Sequence, residues 1–146
     1  MNVLMTSFRR SHGVPAPTYS VAMYQPKGFE YPRVDWALIG NPNGTDWIRP
    51  RNYQHSDDPL REYKAALMHQ YLHRIEDAQE WFKAQQLYAA ICFCCWCPHD
   101  RAAHRQLAEF ETYVCHHDVL GEFLETYLGV RVWYDHDRRL MKAIRP

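Results

Sequence analysis

The sequence predicts an α/β fold, a compact three-layer sandwich around a mostly parallel sheet, in a single domain spanning 1–146. Three observations carry that prediction. Short apolar runs rich in β-formers are separated by amphipathic stretches at helical spacing, in the rough order β, β, α, α, β, α, α, β. The run LYAAICFCCWC at 87–97 is apolar throughout, as a central strand covered on both faces must be. Strands joined through helices pair in parallel, because the crossover returns the chain to the same end of the sheet. Length permits this: a chain of about 150 residues buries roughly 70% of its unfolded surface, so no cross-link is needed for a core.

VLMTSF (3–8) is a short apolar run that suits a buried strand, and Gly13, Pro15 and Pro17 punctuate the loop after it. TYSVAMY (18–24) has the composition of a second strand. The stretch 25–53 carries Pro and Gly too often for a long helix; an irregular excursion is expected, with one short turn around Trp36 to Leu38. Asp58 can cap a helix and Pro59 fits its first position, after which Leu60, Tyr63, Leu67, Tyr71 and Ile75 fall on one face. A second helix, or a kinked continuation, is expected over 77–86. Residues 99–113 have helical composition. Residues 115–129 carry a clearer apolar stripe, Val119, Leu120, Phe123, Leu124, Tyr127 and Leu128, stopped by Gly129. VRVWY (130–134) is the final strand, and DHDRRLMKAIRP a polar tail or short helix.

Formal charge is zero, with 17 basic and 17 acidic side chains, which excludes binding driven by bulk attraction to phosphate but leaves room for a local basic pocket. No run approaches the roughly 18 apolar residues of a membrane span. The opening MNVLMTSFRR is unlike a signal peptide, since its apolar stretch is short and the arginines follow it. A reducing, cytoplasmic setting with free thiols is therefore expected. Neither a P-loop, a GxGxxG nor an HExxH motif occurs.

The chemistry lies with the cysteines. Side chains alternate along a strand, so Phe93, Cys95 and Cys97 share one face while Cys92, Cys94 and Trp96 share the other. Four ligands from ICFCCWC alone are therefore incompatible with an intact strand. Cys92 and Cys94 are expected as small buried hydrophobes. Cys97 closes its strand and Cys115 opens a helix, and ligands of parallel sheets bind where strand carboxyl ends meet helix amino ends. Two arrangements follow. In the first, zinc is held by Cys95 or Cys97 together with Cys115 and one of the histidines beside it, His116 and His117, His116 being the one singled out. In the second, Ser7, Arg9 and Arg10 leave the first strand and face Cys97, His116 and the helix amides, forming an anion pocket for a nucleotide or nucleic acid. Cys115 or His116 would then be the catalytic group of a hydrolase or transferase. Trp96 or Tyr24 could stack a base. The plainer alternatives are that the two arginines belong to a solvated loop, that Asp118 only favours its helix start, and that His69, His73 and the Asp135–His136–Asp137 run are surface residues.

The strand end CWCP at 95–98 and the helix start CHHDVLGEFLE at 115–125 resemble a domain-of-unknown-function family, numbered forty-three twenty-six, with a C-W-C-x-P then C-H-G-D-V-L pattern. MTSF at 5–8 and SVAMYQPKGF at 20–29 resemble a related family numbered four-eight-eight. The stretch 98–114 departs from the pattern's short gap, and PHDRAAHRQLAEF offers a second match to a C-H-R helix start with Ala103 in place of the cysteine. The resemblance implies a compact Rossmann-like α/β domain and is compatible with a phage or mobile-element origin. A second functional class is a noncatalytic accessory protein that binds and inhibits a host protein through exposed aromatics, Trp36, Trp47 and Tyr53.

Overall fold

The computed structural model describes residues 1–40, 48, 50–53, 55–95 and 116–134. Four strands, β1 (Asn2–Ser7), β2 (Thr18–Ser20), β3 (Ala90–Cys95) and β4 (Arg131–Tyr134), form one all-parallel sheet in the order β2-β3-β1-β4. Among the described residues three α-helices accompany it: α1 (Pro59–His73), α2 (Ile75–Ala84) and α3 (His116–Leu128). The parallel α/β expectation holds. Among the described residues no helix is long and apolar enough to cross a membrane.

Each boundary has a local cause. The Asp58 carboxylate accepts the Arg61 amide at 3.3 Å and Pro59 takes the first turn of α1, as expected. The helical run breaks at Arg74, and α2 begins with Glu76 and Asp77 in its first turn and ends with Lys83 in its last, charges that suit the helix dipole. Gly129, at φ +63°, ends α3 in the left-handed conformation that costs glycine least. Register places Val3, Met5 and Ser7 of β1 beside Ile91, Phe93 and Cys95 of β3, so these six side chains share a face.

That face carries the helices. Phe93 packs against Trp36, Trp81 and Phe82, while Phe123 of α3 meets Trp36 and Tyr71 of α1. Gly121 lets α3 settle onto β4: a Cβ there would stand 2.5 Å from the Tyr134 hydroxyl and 3.3 Å from Val132 Cγ1. The opposite face is buried too, with Leu4, Thr6, Cys92, Cys94 and Ser20 no more than 1% exposed. Cys92 and Cys94 are thus the small core residues expected of them.

Three expectations are corrected. The second strand stops at Ser20 rather than running to residue 24. Val21, Ala22 and Met23 are buried without extending the strand, although the Val21 amide still donates to Cys94 O at 3.0 Å; on the other side of Ser20, residues 32–34 add a bridge, with Ser20 donating to Pro32 O at 2.8 Å and Val34 donating to Ser20 O at 2.9 Å. This segment covers the outer edge of β2, which would otherwise offer unpaired backbone groups. The central strand begins at Ala90, with Leu87 fully in solvent. Trp36 is not an exposed anchor: it sits 3% exposed in the short turn Asp35–Ala37, its ring wedged among Trp81, Phe82, Phe93 and Phe123. The candidate helix over 99–113, the tail beyond 134, Trp47 and Trp96 lie outside the described residues.

Candidate functional site

The carboxyl ends of β1 and β3 and the amino end of α3 meet at one point. Ser7 is the last residue of β1 and pairs in register with Cys95, the last of β3. Ser7 keeps an extended backbone (φ −89°, ψ 159°), so strand alternation carries its side chain to the helix-covered face alongside Cys95. The parity of the strand therefore selects Cys95, not Cys94, to face α3.

On the helix side, His116 and His117 begin α3. Cys95 Sγ lies 3.4 Å from His117 Nδ1, and the two imidazoles stack with centroids 5.0 Å apart at 20°. One ligand atom from each of Cys95, His116 and His117 lies within 4.8 Å of the other two. All three are buried, at 1%, 6% and 0% exposure.

Soft sulfur and two imidazoles form a ligand set that suits zinc. With a Zn–S bond of about 2.3 Å and a Zn–N bond of about 2.05 Å, a tetrahedral S···N edge is about 3.6 Å and an N···N edge about 3.3 Å. The 3.4 Å Cys95–His117 separation already matches such an edge. The remaining edges, at up to 4.8 Å, need to contract by at most about 1.5 Å, within reach of a side-chain rotation.

Of the residues singled out from the sequence, Ser7, Cys95 and His116 come together here. Arg9 is exposed in the short 3-10 turn Phe8–Arg10 that follows Ser7, and Arg10 has its backbone in the same turn. Cys97 and Cys115 lie outside the described residues, as do Asp135, His136 and Asp137. His69 and His73 are exposed, as surface residues should be. Tyr24 is 56% exposed. The residue that the sequence reading placed nearby but did not assign is His117, whose ring nitrogen meets the sulfur. Its signal was periodicity: His117, Leu120 and Leu124 follow the i, i+3, i+7 spacing of the buried stripe, so a helix starting at 116 must turn His117 inward.

Comparison with protein-family models, with curated proteins and with solved structures finds no match to this chain.

Proposed function

We propose that this protein is a metal-binding α/β domain in which Cys95, His116 and His117 hold a zinc ion at the carboxyl end of the sheet, and that the bound metal serves hydrolysis or transfer on a phosphate-bearing ligand such as a nucleotide. The observation that carries the reading is the convergence of one sulfur and two imidazole nitrogens within 4.8 Å at the place where parallel sheets bind ligands. Three buried ligands of borderline-soft character are an unusual set to gather for packing alone, since each imidazole in a core needs polar partners.

The metal would act as a Lewis acid and as a source of hydroxide near neutral pH. Arg9, exposed two residues beyond Ser7 in the chain, would be a candidate to receive a phosphate. The reading as a noncatalytic inhibitor of a host protein loses one of its anchors, because Trp36 is packed into the core.

Native mass spectrometry with elemental analysis tests the proposal. Protein purified without chelator should carry one zinc per chain, and the His117→Ala variant should carry none while remaining folded. Metal-free wild-type protein that also fails to take up added zinc or cobalt would sink it.

A further inference from the structure

Ser7 is the fourth side of this site. Its hydroxyl is on the same sheet face as Cys95, one strand over and in direct register. The residue is 3% exposed, and Oγ has no hydrogen-bond partner among the described residues. A buried hydroxyl without a partner is costly, and natural cores rarely carry one without a reason. Thr6, the preceding residue, points to the other face. The orphaned group is therefore specific to the side of the sheet that holds the sulfur and the imidazoles.

We propose that the metal keeps an exogenous oxygen ligand, a water or hydroxide displaceable by a small anion, and that the Ser7 hydroxyl hydrogen-bonds to it. This rests on the zinc reading above and extends it, turning three protein ligands into an open site of the kind that catalysis requires rather than a closed structural one. A serine donor in this place holds the fourth ligand in a fixed direction without itself binding the ion. It also explains a hydroxyl on this face of the strand: Val3 and Met5 could be continued at position 7 by any small apolar residue if packing were the only demand. Ser7 is thus a positioning residue. It acts on the metal-bound ligand, and its removal should leave the ion's three protein ligands in place.

Cobalt(II) substitution with azide as the probe tests this. Cobalt in a site of one sulfur and two imidazoles gives visible bands that report geometry, and azide entering an open position changes them. Wild-type protein should bind cobalt and show a saturable azide response. Ser7→Ala should retain cobalt affinity within about twofold and bind azide about 3- to 10-fold more weakly, the loss expected for one hydrogen bond. Thr6→Ala, one residue away on the opposite face, should match wild type in both. A cobalt protein indifferent to azide, or a Ser7→Ala variant with wild-type azide affinity, overturns the open-site inference while leaving the metal site standing. Failure of wild-type protein to bind cobalt overturns the metal reading and this inference with it.

Discussion

Cys94 and Cys95 are consecutive residues of one strand, with the same side chain and nearly the same burial, 0% and 1%. Yet they belong to different chemistry. Cys94 is in register with Thr6 and Ser20 on the face away from α1 and α3, where it fills volume. Cys95 is in register with Ser7 and meets His117 of α3. Burial alone does not distinguish a packing thiol from a ligand. Strand parity does, because a step of one residue moves a side chain to the opposite face. A run such as ICFCC therefore holds two kinds of cysteine, and the helix that crosses above decides which is which.

The contrast can be broken most severely through the scaffold. Phe93 precedes Cys95 by two residues on the same face and contacts Tyr19, Trp36, Trp81 and Phe82. Phe93→Ala should lower stability by about 3–5 kcal/mol, read from urea unfolding, because it opens a cavity where β3, α2 and the Trp36 turn meet. A loss below about 1 kcal/mol would show that the aromatic cluster does not anchor the strand.

The contrast is sharpened by exchanging the two thiols in turn. Cys95→Ala should weaken cobalt or zinc affinity by more than about 100-fold, measured by competition with a chromophoric chelator, since loss of a direct ligand exceeds the 10- to 100-fold cost of losing a supporting contact. Cys94→Ala should leave metal affinity unchanged and lower stability by about 1–2 kcal/mol through the lost sulfur volume. Equal effects of the two substitutions on metal affinity would refute the assignment of faces.

A smaller effect concerns the far edge of the same face. Tyr19, in register with Phe93, donates its phenol to Gln85 Oε1 at 2.7 Å. Burial, and secondarily the neighbouring Tyr88, raise its pKa above the ordinary 10.0 by disfavouring the phenolate. The unfolded chain then loses this proton at lower pH than the folded one. The associated stability is whole below pH 10.0 and is lost as pH climbs through the raised value. Tyr19→Phe should flatten that alkaline decline in thermal melts; an unchanged slope would remove Tyr19 as its source.

Much of the scaffold was legible in the sequence because its signals are local. Asp58 and Pro59 start α1, Gly129 ends α3, and the unbroken apolar run marks the buried strand. What escaped is tertiary. Val21 to Met23 look like strand, but the ladder with β3 ends at Ser20, and the outer edge there is bridged by Arg33, a pairing that no local pattern encodes. Trp36 lies in a Pro- and Gly-rich excursion that appears solvated, and only its contacts with Phe93 and Phe123 make it core. At the site, the strand end and the helix start could be read from parity and stripe. The choice of His117 Nδ1 as the atom nearest the sulfur depends on the first turn of α3, which composition does not fix.

X-ray absorption at the zinc edge of the loaded protein reads the ligand set itself. The metal should be surrounded by one sulfur at about 2.3 Å, two imidazole nitrogens at about 2.0 Å and one oxygen at similar distance, with the sulfur absent from Cys95→Ala and present in Cys94→Ala. A shell of oxygens alone, or a sulfur that survives Cys95→Ala, would contradict that ligand set.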